Sequence, residues 1–266
     1  MKKYAQSEKV SVCNWKDGLP VVRDDAVAEE VPVALIYNGI SHAVMLATPA
    51  DLDDFALGFS LTEGIVESAD EIYSIDPVDA ENGIRVEMEI ASERFQYLKE
   101  RRRNLTGRTG CGLCGTDSLS QAILIPPVLA SNPVFSADAI HNGFEKMDEM
   151  QILKKQTGAT HAAAWLDKEG KVELVREDVG RHNALDKLIG ALYSRKTDRS
   201  TGAALVTSRA SYEMVQKCGS AGIGMLAAVS APTALAIRMA NDINLTLLGF
   251  VRQNGHTVYA HPERLV

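Results

Sequence analysis

The second half of the chain constrains the fold most, because apolar strand-length runs alternate there with helix-length amphipathic ones. After a helix predicted over Ala137 to Lys155, strands are predicted at Ala162 to Leu166 and Val172 to Val175, joined by the turn Lys168-Glu169-Gly170. A helix from His182 to Tyr193 follows, then strand Ala203 to Thr207, helix Tyr212 to Lys217 and strand Met225 to Val229. Helix Thr233 to Asn241, strand Leu245 to Gly249 and a short strand at Thr257 to Tyr259 complete the series. Strands that alternate with helices and carry near-continuous apolar runs predict an α/β sheet covered on both faces.

The first half reads differently. Val31 to Tyr37 and Ile40 to Ala47 are two apolar runs joined by Asn38-Gly39, a strong hairpin signal because both turn positions need positive φ. A helix opens after Thr48-Pro49 with an acidic first turn (Asp51, Asp53, Asp54) and an apolar face of Leu52, Phe55, Ala56, Phe59 and Leu61. Two further strands are predicted at Glu71 to Asp76 and Ile84 to Ile90. In the second, Val86, Met88 and Ile90 alternate with Glu87 and Glu89, as in a half-exposed sheet. A helix from Phe95 to Leu105 carries Lys99, Arg101, Arg102 and Arg103, and runs into a segment with four glycines in the ten residues from 106 to 115. Such a segment predicts a mobile loop. Pro126-Pro127 and Ser131-Asn132-Pro133 then punctuate the chain. The expected organisation is an N-terminal α+β domain over 1–128, with a Cys-x-x-Cys loop at 105–117, and an α/β domain over 129–266.

Composition narrows the function class. Hydrophobic residues make up 45% and charged residues 24%, as in an ordinary globular protein, and the net charge of −7 excludes general nucleic-acid binding. No apolar stretch follows Lys2 and Lys3, so a signal peptide is not expected. From Cys218 to Ile237 no residue is charged. The stretch is nevertheless rich in Ala, Gly and Ser and is interrupted by Pro232, so it reads as a buried strand, a turn and a helix start, with no membrane span. The four cysteines, Cys13, Cys111, Cys114 and Cys218, form no disulfide framework, which points to a reducing cytoplasm.

Two constellations could carry chemistry. The first is Cys111-Gly112-Leu113-Cys114. Lys99, Arg101, Arg102, Arg103 and Arg108 stand nearby against the single acid Glu100, and positive charge favours the reactive thiolate. Glycines on both sides leave the sulfur accessible to another protein, as a group carrier needs. A structural zinc would require four ligands, and no second pair exists. A thioredoxin-type dithiol and an inert loop remain open as alternatives. The second constellation is His161, Asp178, Arg181, His182, Ser208 and Arg209, placed at predicted strand ends beside helix starts, where α/β sheets collect anionic ligands. Capping and surface ion pairs account for any one of them alone; the cluster predicts a pocket. Gly219-Ser220-Ala221-Gly222-Ile223-Gly224 is no dinucleotide fingerprint, since it precedes a strand and has the wrong glycine order. Phe250-Val251-Arg252-Gln253-Asn254-Gly255 reads as a hairpin connection.

Longer ordered strings carry a resemblance. Gly107-Arg108-Thr109-Gly110-Cys111-Gly112-Leu113-Cys114-Gly115, Thr160-His161-Ala162-Ala163-Ala164, Glu177-Asp178-Val179-Gly180-Arg181-His182 and Ser208-Arg209-Ala210-Ser211-Tyr212-Glu213-Met214 resemble the FdhD family of formate dehydrogenase accessory sulfurtransferases. Val31 to Leu35, Gly39 to His42 and Thr257 to Pro262 match as well, so the resemblance covers almost the whole chain. It implies a sulfur carrier that accepts persulfide sulfur from a cysteine desulfurase on Cys111 and passes it to the molybdenum cofactor in its bis-guanine-dinucleotide form, for formate dehydrogenase. A guanine nucleotide would mimic that cofactor. Cys114 is the second loop cysteine, and the cofactor-binding stretch falls on Phe250, Val251, Arg252, Gln253, Asn254 and Gly255. The resemblance further implies a homodimer and a larger domain of cytidine deaminase-like fold. The zinc chemistry of the deaminases is not expected, because Gly110 precedes Cys111 and His161-Ala162-Ala163 lacks the glutamate. A non-catalytic cofactor chaperone and a dithiol oxidoreductase are the competing readings.

Overall fold

The structure, a computed structural model, describes residues 4–105, 124–130, 133–253 and 255–266. Its second half is built on a six-stranded sheet. Strands β7 (His161–Leu166) and β8 (Val172–Asp178) form an antiparallel pair, and β7 also runs antiparallel to β9 (Ala203–Val206). From β9 the sheet continues in parallel through β10 (Met225–Ala228) to β11 (Thr246–Arg252), which turns back into the antiparallel β12 (Gly255–Ala260). The order is β12-β11-β10-β9-β7-β8. Every residue of β9 and β10 is buried, because both faces are covered. Ala204, Val206, Leu226 and Ala228 pack in the core shared with α5 (Arg181–Ser194), α6 (Tyr212–Ser220) and α7 (Ala234–Asp242). Ala203, Leu205, Met225 and Ala227 pack on the opposite side with Ile140 and Met147 of α3 (Ala137–Met150).

The first half holds a four-stranded sheet of β3 (Val31–Tyr37), β4 (Ile40–Ala47), β5 (Ile72–Ala80) and β6 (Gly83–Ile90), in the order β4-β3-β6-β5. Asn38 and Gly39 take φ of 45° and 81°, as the hairpin requires. One face of the sheet packs on α1 (Leu52–Thr62), and Arg85, Glu87 and Glu89 line the exposed face. The helix α2 (Ser92–Leu105) follows β6.

Two features depart from the sequence reading. An antiparallel ribbon of β1 (Ser7–Lys16) and β2 (Leu19–Ala28), turning at Asp17-Gly18, precedes the first sheet. Its side chains are largely solvent-facing, Trp15 at 70% exposure among them, so no buried face announces it. The helix expected from Ala137 to Lys155 is two, α3 and α4 (Ile152–Thr157), broken at Gln151. The break has a cause: the Glu177 carboxylate accepts the backbone N–H of Leu153 (2.9 Å) and Lys154 (2.8 Å), starting a new helix there.

The two halves meet through α1 and α5. A Cβ on Gly58 would stand 1.9 Å from the Asp186 carbonyl oxygen, and one on Gly190 would stand 1.9 Å from that of Asp54, so only glycines allow this crossing. Buried charge locks it. Asp178 and Lys187 pair at 2.7 Å, both fully buried. Asp178 also accepts N–H donors from Thr48 (3.0 Å), Gly180 (2.8 Å) and Asn183 (3.0 Å), while Lys187 donates to the Thr48 carbonyl (3.0 Å). One turn away, Lys217 reaches Asp186, Glu63 and the Thr62 hydroxyl, each at 2.9 Å. Burial alone would lower the Lys217 ammonium, but the Asp186 and Glu63 carboxylates outweigh it and raise its pKa, so it stays charged.

Lys187→Ala strands the Asp178 carboxylate in the interior and should cost about 3–5 kcal/mol in urea unfolding; pairing Asp178→Asn with Lys187→Met should recover part of that loss. Gly190→Ala pushes a methyl into the Asp54 backbone and should cost about 1–3 kcal/mol or more by the same measurement.

Candidate functional site

The carboxyl ends of β8, β9, β10 and β11 lie along one edge of the sheet, together with the starts of β7 and β12. Backbone hydrogen bonds stitch the connections there. The Thr207 N–H donates to the Ala162 carbonyl (3.1 Å) and the Ala162 N–H to the Thr207 hydroxyl (2.9 Å). Val229 N–H donates to Val206, Ser230 N–H to Ser208, and Phe250 N–H to Ser230. Helices α5, α6 and α7 all begin at this edge. Thr233 caps α7 by accepting from the Ala236 N–H, whereas α5 and α6 have no side-chain cap. Three helix starts, two without a side-chain N-cap, give the edge a positive field suited to anions, offset in the first turn of α6 by Glu213.

Arg181 and His182 open α5 at this edge. The Arg181 Nε and His182 Nε2 atoms are buried and have no hydrogen-bond partner among the described residues, which leaves them open to a ligand. His182 Nε2 stands 3.8 Å from the Glu213 carboxylate on α6, which also accepts from the Ser211 hydroxyl at 2.7 Å. Burial first and Arg181 second lower the His182 pKa, and the same two causes, in that order, lower His161 at the start of β7. Both imidazoles are therefore neutral at pH 7. The Tyr212 hydroxyl, at the start of α6, donates to the Leu124 carbonyl at 3.1 Å. Leu124 is the first described residue after the cysteine segment.

A cleft of about 510 Å³ opens on the other side of the same edge, within the size range of small-molecule and cofactor sites. Thr207, Val229, Val251, Arg252 and Gln253 form one wall and the polar face of α3 forms the other. Arg252 is fixed by donating to the Val229 carbonyl (2.8 Å).

The predicted residues thus divide. Arg181, His182 and His161 gather by the α5 start, and Val251, Arg252 and Gln253 line the cleft. Phe250, held at φ 53° and 47% exposed, and Gly255, which opens β12, sit in the same hairpin outside the cleft lining. Asp178 does not face a ligand: it is fully buried and its carboxylate is committed to the fold. Ser208 is also buried and donates to the Arg209 carbonyl, and Arg209 is exposed. The single pocket expected from Asp178, Arg181, His182, Ser208 and Arg209 is therefore not formed as such. Cys111, Cys114, Arg108 and Asn254 lie outside the described residues. Among the described residues no three His, Cys, Asp or Glu side chains gather as a metal site, and no helix is long and apolar enough to cross a membrane. The α3 wall, with His141, Glu145 and Asp148 on one helical face, was missed from sequence, because polar residues at that spacing look like any solvated face.

Known proteins bear on this geometry. A crystal structure assigned as a formate dehydrogenase accessory protein from Desulfotalea psychrophila superposes with a TM-score of 0.77 at 23% identity, covering 98% of this chain and 100% of that one, and so shares the fold. The sulfur carrier protein FdhD of Cupriavidus necator is 62% identical over 255 residues, 96% of this chain and 88% of the relative. That of Bordetella petrii is 59% identical over 243 residues, 91% of this chain and 87% of the relative. The FdhD/NarQ family profile matches residues 28–266, which is nearly the whole chain, and the protein belongs to the FdhD/NarQ family.

Proposed function

We propose that this protein is a sulfur carrier for formate dehydrogenase, with Cys111 as the sulfur-bearing residue. The Cys111 thiolate attacks the outer sulfur of a persulfide on a cysteine desulfurase. The desulfurase S–S bond breaks, its thiolate leaves, and Cys111 becomes the persulfide. The molybdenum bis-guanine-dinucleotide cofactor binds at the carboxyl edge as the acceptor substrate. The Cys114 thiolate then attacks the inner sulfur of the Cys111 persulfide. This releases the outer sulfur as sulfide to the metal and leaves a Cys111–Cys114 disulfide, which an external dithiol reduces. The protein works in a reducing cytoplasm, as a homodimer whose larger sheet follows the cytidine deaminase-like pattern.

One observation carries this reading: the Tyr212–Leu124 hydrogen bond tethers the downstream end of the cysteine segment beside the unsatisfied Arg181 and His182. Cys114 lies ten residues from Leu124 in sequence, within at most about 36 Å of chain reach, which spans the whole edge. The uncapped α5 and α6 starts suit the phosphates of a dinucleotide, and the cleft suits a base.

Incubation with a desulfurase and L-cysteine should add ~32 Da, one sulfur, in intact mass spectrometry. Cys111→Ala should lose that adduct and fail to mature formate dehydrogenase, while Cys114→Ala should load sulfur but not release it. A wild-type protein that binds GDP yet gains no adduct would instead be a cofactor chaperone.

The neutral His182 has a thermodynamic signature. Unfolded, it takes a proton near about pH 6.5; folded, only at lower pH. Between those values the unfolded chain binds more protons, so stability is full above about pH 6.5 and falls as pH drops through the window. Urea unfolding at pH 7.5 and 5.5 should show that fall, and His182→Gln should make it shallower.

A further inference from the structure

The cleft carries more acid than an anion site should tolerate, and that excess has a chemical reading. Three carboxylates of α3, Glu145, Asp148 and Glu149, line it. Two are neutralised: Asp148 by Lys154 at 2.9 Å and Glu149 by Lys146 at 2.8 Å. Glu145 is exposed and has no ion pair or hydrogen bond among the described residues. Across the cleft, Arg252 uses one terminal nitrogen on the Val229 and Val251 carbonyls, and the rest of its guanidinium has no partner among the described residues.

A free carboxylate in the cleft would repel a nucleotide unless it met hydrogen-bond donors. Guanine supplies them. Its Watson–Crick edge presents the N1–H and the N2 amino group side by side, which a carboxylate accepts in a bidentate pair, and its O6 and N7 accept from an arginine. Adenine presents a lone pair at N1, which Glu145 would oppose. Hypoxanthine keeps the N1–H and lacks the amine.

We propose that Glu145 reads the Watson–Crick edge of a guanine base held in this cleft, with Arg252 donating to its O6 and N7 face, and so sets the choice of guanine over adenine. This rests on the reading that the carboxyl edge binds a guanine dinucleotide, and it adds the residues that would select the base.

The test is equilibrium binding of GDP, IDP and ADP to the full-length protein, wild type against Glu145→Ala, an exposed position whose truncation leaves the core untouched. Wild type should bind GDP roughly ten- to hundredfold tighter than ADP, with IDP between them. Glu145→Ala should lose most of that margin, weakening GDP while ADP binds as well as before or tighter. A margin retained in Glu145→Ala would overturn the role of Glu145 and leave the cofactor reading standing. GDP and ADP binding equally to wild type, or neither binding, would overturn the guanine reading itself and the inference with it.

Discussion

The Asp178–Lys187 pair is the contact on which the relation between the two halves depends. Both groups are fully buried, and removing them from water is unfavourable unless every lone pair and proton is met. They are met from both halves: Asp178 accepts from Thr48 of the first half and from Gly180 and Asn183 of its own, and Lys187 donates to the Thr48 carbonyl. The Thr48 N–H and carbonyl lie at the end of the first sheet's β4, and Asn183 holds the Leu46 carbonyl beside them at 2.8 Å. An apolar interface of the same area could slide; this one has a single register in which the charges are satisfied. The Gly58 and Gly190 crossing works in the same direction, since backbone meets backbone with no side chain to repack.

This rigidity has a functional consequence. The chain leaves the first half through α2, which ends at Leu105, and is next described at Leu124, bound to Tyr212 on the second half. The buried ion pairs hold the two halves, and with them the Leu124–Tyr212 contact, in one fixed relation. The same Asp178 also accepts the Gly180 N–H, which sets the entry to α5 and so the position of Arg181 and His182. One carboxylate both fixes the halves and aims the cationic start of the helix.

That double use explains what could and could not be read from sequence. Strand and helix alternation in the second half and the Asn38-Gly39 hairpin were legible, because burial period and turn stereochemistry are local. In Glu177-Asp178-Val179-Gly180-Arg181-His182-Asn183 the residue types announced importance but not its division. Glu177 caps α4, Asp178 and Asn183 tie the halves, and only Arg181 and His182, both half-buried, keep side-chain atoms without a partner among the described residues. A carboxylate that satisfies a distant backbone looks the same in a linear string as one that meets a substrate. The break at Gln151 was hidden for the same reason, since the group that causes it is 26 residues away in Glu177 (177 − 151). The β1–β2 ribbon was hidden for the opposite reason: strand pairing without a buried face has no period to detect.

The distribution of charge around the edge is then coherent with the net charge of −7. The most buried cations are spent on fixing structure, Arg176 on Asp54, Lys187 on Asp178 and Lys217 on Asp186. What attracts an anion is left to helix starts and to Arg181, a short-range field that screens quickly with distance. In the proposed reading the phosphates of a small ligand reach the helix starts while its base meets a carboxylate, so discrimination arises from opposite local fields and not from overall charge.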